Sequence, residues 1–436
     1  MDFTSLTKVQ LIAKCKELNI KGYSSKNKKE LIELLVSSSN PIKSDEVFTF
    51  IDLFCGIGGF HQALKKVNPD AKCVFACDID ENCRKIYELN YGLKPEKDIT
   101  KVDINKIPSF DILCGGFPCQ SFSNSGKKKG FEDSRGKLYQ YILKIAMLKK
   151  PSYMFLENVK HIKNIDNGTV FKSILSDIDE IGYKVQTIEL SPKQLGIPQN
   201  RERIIFICIK KEIYSSEITF NIPKNHSNGL ERILEKNVDP KYKISTDLEE
   251  ILNAWNKIIQ TFETGENLSP TILCNDFDKD SSSAEFKDFP KWRQDYIIKN
   301  KRIYEKYKDN WDKWVLDNTE VLSKREIYGK LEWQVGKKVE NDSIFNHFIQ
   351  FRQSGIRIKK SDCFPTLVAI VQTPIYGKEK RYITPRECAR LQSFPDDFII
   401  HDSDHIAYKQ FGNAVNVDVI YFAVFNTLRH YSFTFN

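Results

Sequence analysis

"FIDLFCGIGGF", Phe50 to Phe60, reads as a buried strand that runs through three glycines into the first turn of a helix. Phe50, Ile51, Leu53 and Phe54 supply the apolar bulk of a strand covered on both faces. Gly56, Gly58 and Gly59 let the backbone come close to a ligand at the N-terminus of the following helix. About twenty residues on, "CVFACDI" ends at Asp78-Ile79, with Asp80 next. Carboxylates at the end of a second strand are placed to accept hydrogen bonds from ribose hydroxyls. A tight strand-to-helix turn without a ligand would satisfy the same glycines. The dinucleotide fingerprint G-x-G-x-x-G is not met, because Phe60-His61 follow Gly59. This weighs against a nicotinamide dehydrogenase and leaves another adenosine-containing cofactor.

Outward from this loop the chain alternates apolar runs with helical stretches. "VFTFIDLF", "CVFACDI", "DILCGGF", "YMFLENV" and "RIIFICIK" read as buried strands, and "HQALKKV" as a helix stopped at Asn68-Pro69. The alternation predicts an α/β domain, a Rossmann-like doubly wound and mainly parallel sheet, with ligands at the carboxyl ends of its strands. From residue 219 the rhythm is lost. The stretch to about 360 is polar and holds all five tryptophans, which a disordered insert would not concentrate, so a second folded domain is expected there. Order returns with "RYITPRECARLQSFPDDF" and "YKQFGNAVNVDVI". The expected domains are 46–218, with 376–436 returning to it, and 219–375 between.

Before these, residues 4–36 read as a helical pair. Leu11, Cys15 and Leu18 fall on one helix face, and Asn27 with Glu30 makes a capping-box variant opening a second helix. "SSSNPIKSDE", 37–46, reads as a linker. Residues 1–40 carry seven lysines against four acidic side chains, which suits either a phosphate backbone or a solvated helical pair docked on its neighbour. The whole chain of 436 residues has a formal charge of +8, a lean toward an anionic partner. No apolar run reaches the ~20 residues of a membrane span, and the first residues lack the apolar stretch of a secretory signal. A cytoplasmic or nucleoid-associated protein is expected, with its eleven cysteines reduced. Cys73, Cys77 and Cys83 cluster without a Cys or His pair at zinc spacing, so no metal is expected.

"GGFPCQSFSNSGKKKGFEDSRG", Gly115 to Gly136, places one thiol on a stiff Pro118-Cys119 step ahead of a flexible basic stretch. Alone, a cysteine after proline is a packing residue and a lysine triplet a solvated face. Together with its neighbours it resembles something more specific. "FIDLFCGIGGF", "GGFPCQSFS", "LENVK", "QNRERIIFI", "RECARLQSFPDDF" and "QFGNAVN" resemble, in that order, the motifs of the DNA (cytosine-5)-methyltransferases, from Val47 to Tyr431 apart from the variable middle. "LTKVQLIAKCKELNI" and "NKKELIELL" resemble the SAP family of small duplex-binding modules.

The first resemblance implies S-adenosylmethionine as methyl donor and a flipped cytosine in double-stranded DNA as acceptor, with a monomeric enzyme in a restriction-modification setting. It implies Cys119 as nucleophile, Glu157 as its partner on the base, and Arg203 on the cytosine carbonyl. It assigns the cofactor to Phe54, Gly56, Ile57, Gly58, Gly59, Asp78, Ile79, Asp98, Ile99 and Leu138, closed by Asn413 and Val415. DNA contacts fall to Gln120, Ser123, Lys127, Lys128, Lys129 and Arg135 on a mobile lid, and target choice to 219–375, ending near Thr366-Leu367. Two positions depart from the family pattern: Ile79 stands where an aromatic is frequent, and Cys55 replaces a small residue. Two other functions compete. One is an RNA (tRNA) cytosine-5 methyltransferase, which shares Pro-Cys-Gln. The other is a silent DNA-binding regulator, which should have lost Cys119 or Glu157, and both are present.

Overall fold

A computed structural model describes residues 6–17, 23, 26–28, 30–31, 47–117, 136–223, 229–268, 271–273, 282–369 and 372–435. Cys119, Gln120, Ser123, Lys127, Lys128, Lys129 and Arg135 lie outside the described residues. The chain divides into two units, residues 1–229 with 389–436, and residues 230–388.

The first unit opens on helix α1 (Lys8–Glu17), whose Leu11 and Cys15 are buried. The apolar runs then form strands because β-branched and aromatic side chains fit a pleated surface covered on both sides. They are β1 (Thr49–Leu53), β2 (Lys72–Cys77), β3 (Ile112–Gly116), β4 (Tyr153–Val159), β5 (Tyr183–Leu190) and β6 (Arg203–Lys210). The sheet order is β2-β1-β3-β4-β6-β5. The pairs from β2 to β4 are parallel, while β6 runs antiparallel to both β4 and β5. Helices α2 (Gly59–Val67), α3 (Glu81–Tyr91), α4 (Gly136–Lys149) and α5 (Thr169–Glu180) connect the strands. One core packs Leu53, Leu113, Leu156 and Phe206 of the sheet against Ile142 and Ile145 of α4 and Ile174 and Ile178 of α5. The order reverses between β1 and β3, so the segments after these two strands flank the switch point where open α/β sheets bind ligands.

The second unit is an independent α/β layer. Helices α6 (Thr246–Thr261), α7 (Lys291–Lys306) and α8 (Lys308–Ser323) accompany a sheet ordered β12-β11-β9-β10-β8-β7. Its strands are β7 (Thr271–Leu273), β8 (Lys330–Gln334), β9 (Phe348–Arg352), β10 (Gly355–Lys359), β11 (Ile375–Tyr376) and β12 (Arg381–Tyr382). Trp255, Trp311 and Trp314 meet in its core with ring centroids 4.9–6.3 Å apart, and Trp333 joins them, while Trp292 stays exposed. The chain divides at 229/230 and 388/389 rather than at 218/219 and 375/376. Gln186 of β5 exchanges two hydrogen bonds with the backbone of Ile218, which keeps the chain with the first sheet past residue 218. The β11–β12 hairpin pairs onto β9, which holds 376–388 in the second unit. Helices α9 (Asp404–Asn413) and α10 (Val417–His430) return to the first unit, where α10 packs on α2.

Candidate active site

The loop after β1 is built from residues in left-handed conformation: Phe54 at φ 55°, Gly56 at 54° and Gly58 at 88°. A non-glycine residue pays about 1–2 kcal/mol for that region, so Phe54 is held there by its surroundings. Gly58 has no alternative, because a methyl group on it would fall 2.2 Å from the Tyr91 ring. Gly59 has none either, since the same addition meets Val415 Cγ2 at 2.5 Å. Beside Gly56 the space is open.

Asp78 shapes this loop from the end of β2. Its Oδ2 accepts from the Gly56 amide at 2.7 Å and its Oδ1 from the Asp80 amide at 2.8 Å. Burial pushes the Asp78 carboxyl up, against the pull of those two amides. Asp80 has a separate task. It caps α3 by accepting from the amides of Asn82 and Cys83, and Lys409 donates to its other oxygen at 3.1 Å. Partial burial works against ionisation here, but the Lys409 bond and the capping amides prevail and hold Asp80 low. Ile79, beside them, is 67% exposed, a large apolar side chain left open next to the carboxylate. Asp98 caps a short turn at Ile99–Lys101 through Oδ1, to which the Thr100 amide and hydroxyl both donate. Ile57 and Ile99 are buried, and Leu138 packs on the main core.

The second constellation stands at the carboxyl ends of β3 and β4. Arg203 Nε donates to Glu157 Oε1 at 2.7 Å, both side chains being mostly buried. A methyl group on Gly116 would lie 3.6 Å from Glu157 Oε2 and 3.9 Å from Val415 Cγ1, so Gly116, Glu157 and Val415 share one locality. Asn158, buried, donates from Nδ2 to the Phe117 carbonyl at 2.9 Å, fixing the backbone immediately ahead of Pro118-Cys119. Burial pushes the thiols of Cys55, Cys73, Cys77, Cys83 and Cys114 up, Cys73 and Cys77 to about 12. None of these five supplies a thiolate.

Arginine 201 shows what reading the sequence missed. It is buried, and its Nη2 donates to the carbonyls of Gly412 and Ala414 at 3.0 Å each, gripping the backbone on either side of Asn413. Burial lowers it from its usual value to about 9. Gln199 and Asn416 both donate to the Leu391 carbonyl, and Gln392 donates to that of Phe411. These buried amides hold the segment that sets Val415 against Gly59, Asn413 itself being exposed. The signal was present: "QNRER" and "QFGNAVN" are rich in groups that cannot be buried without partners.

Beneath the loop, Asp52 of β1 is fully buried, and no well-formed hydrogen bond reaches either of its oxygens from the described residues. The His61 amide and the Tyr87 hydroxyl face it, but that hydroxyl is engaged with His61 Nδ1 at 2.8 Å. His61 stacks on Tyr91 at 3.8 Å, and burial drives it down to about 3, so it is neutral. Burial drives the Asp52 carboxyl well up, and the negative charge of Asp78 adds to this.

The arrangement suits a nucleoside-bearing ligand over the loop and a reaction at the ends of β3 and β4. Residues 48–429 match the model of the C-5 cytosine-specific DNA methylases. The chain is 31% identical over 377 residues to the type II methyltransferase M.HhaI of Haemophilus parahaemolyticus, covering 86% of this chain and 93% of that one. It is 33% identical over 392 residues to M.HpaII of Haemophilus parainfluenzae, covering 89% and 90%. In fold it is similar to the Entamoeba histolytica methyltransferase EhMeth, at a TM-score of 0.53 and 20% identity over 88% of this chain and 99% of that one. The chain belongs to the C-5 cytosine-specific DNA methylases and is a DNA cytosine-5 methyltransferase.

Proposed function

We propose that the first unit binds S-adenosylmethionine over the Phe54–Gly59 loop and methylates a cytosine extruded from duplex DNA, as the modification enzyme of a restriction-modification system. The observation that carries this reading is the Glu157–Arg203 pair at 2.7 Å beside Gly116 and Val415. The cofactor fits the residues present. Asp78 keeps acceptor capacity on both oxygens for ribose hydroxyls, Ile79 offers an exposed apolar face to an adenine, and Gly56 leaves open space. Phe54, Ile57, Gly58, Gly59, Asp98, Ile99, Leu138, Asn413 and Val415 would complete the site. When bound, the cofactor supplies an electrophilic methyl group on a sulfonium.

Carbon 5 of cytosine is a poor nucleophile. Addition of the Cys119 thiolate to carbon 6 converts the ring to an enamine and makes carbon 5 nucleophilic; serine, un-ionised at neutral pH, cannot substitute. Glu157 shares a proton with ring nitrogen 3 and Arg203 donates to the ring carbonyl, so both stabilise the charge as it develops. Their mutual bond holds both groups in orientation before the base arrives. A water-borne base then takes the carbon 5 proton, and the electrons of that bond re-form the 5,6 double bond as Cys119 leaves as thiolate, which regenerates the enzyme. Gln120, Ser123, Lys127, Lys128, Lys129 and Arg135 would close behind the extruded base, the cations on phosphates. A duplex carrying 5-fluorocytosine at the target should trap a covalent adduct, because fluorine cannot leave as the proton does. Peptide mapping should place it on Cys119; an adduct elsewhere would refute the assignment.

We assign sequence-independent duplex binding to residues 1–40. Reciprocal bonds between Thr7 and Gln10 and between Asn27 and Glu30 start two helical segments. Leu11, Cys15 and Leu31 are buried, while Lys8, Lys16 and Lys28 are exposed. That arrangement supports a SAP-like module presenting cations to phosphates.

A further inference from the structure

The face of the second sheet turned away from the tryptophan core is polar, and its side chains brace one another. Strand alternation sets Gln350, Arg357, Glu332 and Thr271 in one row across β9, β10, β8 and β7, and Arg352, Gly355 and Lys330 in the next. Gly355 leaves a gap in its row. A methyl group on it would fall 2.7 Å from the Lys330 carbonyl oxygen, so no side chain stands between Arg352 and Lys330.

Glu332, 8% exposed, is the anchor of this face. Its carboxylate accepts from Arg357 Nε at 2.6 Å and from the Ser354 hydroxyl at 2.8 Å, with Arg352 Nη1 at 3.7 Å. Arg352 Nε donates to Gln372 Oε1 at 3.3 Å, and Gln350 Nε2 donates to the Gln372 carbonyl at 3.2 Å. Both guanidiniums are therefore gripped at Nε, while their side chains remain 30% and 25% exposed. One buried carboxylate needs one arginine for neutrality. Along β8, β9 and β10, Arg352, Arg357, Lys330 and Lys359 share the face with one carboxylate, Glu332, which suits a polyanion.

We propose that Arg352 and Arg357 dock on the target duplex and that Arg357 reads a guanine edge in the major groove. The proposal rests on the chain's activity on DNA and on residues of the second unit choosing the target. A guanidinium locked at Nε presents its Nη hydrogens in a fixed fork, which matches O6 and N7 of guanine. A good bidentate pair discriminates against the wrong base by about 5- to 150-fold.

The test uses the full-length protein and bisulfite sequencing of DNA from cells expressing wild type, Arg357→Ala, Arg357→Lys or Glu332→Gln. The two arginine variants should relax the methylated motif at a guanine other than the one paired with the target cytosine. Each should also lose about 5- to 150-fold in kcat/KM on the wild-type motif, with cofactor Kd unchanged. Glu332→Gln, which keeps the volume and removes the charge that holds Arg357, should relax the same position less. An unchanged motif with a salt slope lower by about one would make Arg357 a phosphate contact and overturn the proposal. An unchanged motif with unchanged rates would make the pair purely structural and overturn it too. Should Arg357→Ala fail to fold, Arg357→Lys and Glu332→Gln decide by the same criteria. Absence of cytosine methylation by the wild type would instead sink the proposed function, which separates the two failures.

Discussion

Asp52→Asn should stabilise the protein, and by more at higher pH. The carboxyl of Asp52 is fully buried with no well-formed hydrogen bond to either oxygen from the described residues, and Asp78, His61, Cys55, Cys73, Cys114, Tyr87 and Tyr91 around it supply no cation. An isolated carboxylate in such a site protonates rather than bear its desolvation. The folded carboxyl therefore binds its proton more tightly than the unfolded one. Its stabilising effect is fully present below the unfolded value of about 3.9 and is lost as pH rises toward the folded value. Across that window the wild type forfeits about 1.4 kcal/mol per pH unit through this one group. Asparagine cannot ionise and occupies nearly the same volume, so it escapes the loss. Urea unfolding of both proteins at pH 5, 6 and 7 should show the difference in stability growing with pH in favour of the variant, by at most about 1.4 kcal/mol per unit. A difference that does not change with pH, or a variant less stable throughout, would mean that Asp52 is ionised and paired.

Asn158→Ala should lower kcat by about 10- to 100-fold while leaving cofactor affinity within twofold, because it frees the carbonyl ahead of Pro118 and touches nothing in the Asp78 site; isothermal titration and single-turnover methylation separate the two effects, and a kcat near wild type would show that the bond does not position Cys119. Deleting residues 1–40 should flatten the salt dependence of duplex affinity without altering the methylated motif; an unchanged slope with a lower melting temperature would assign the module to packing instead.

The first unit was legible because its elements rest on local rules. Continuous apolar runs state a buried parallel sheet, and the glycines of 56–59 stand where left-handed backbone or a close neighbour demands them. The ordered motifs brought Glu157 to Arg203 across β4 and β6, a contact that neither segment shows alone. The second sheet was not legible, although "KLEWQ", "FIQFR" and "GIRIK" alternate with period two. Each strand is only five residues long, too short to stand out, and the stretch was recognised as folded from its tryptophans alone. Residues 376–388 fall in the second unit because "RECAR" follows a short hairpin whose pairing depends on β9, far back in sequence. Asp52 and Arg201 were passed over for a related reason. A charged residue in an apolar or motif context declares its type but not its burial, and burial raises the proton affinity of one and makes the other a backbone clamp.

The clamp formed by Arg201 has a consequence for synthesis on the ribosome. Its two acceptors, the carbonyls of Gly412 and Ala414, lie 211 and 213 residues later in the chain. At translation rates of about 5–20 residues per second, roughly 10–40 s separate the emergence of Arg201 from that of its partners. Five strands of the first sheet precede Arg201, β6 follows it at once, and in time the whole second unit is outside, yet Val415 has not arrived to meet Gly59 and Gly116. The nascent enzyme thus carries its nucleophile long before the pocket beside it is finished, and competence to methylate waits on the segment around Val415.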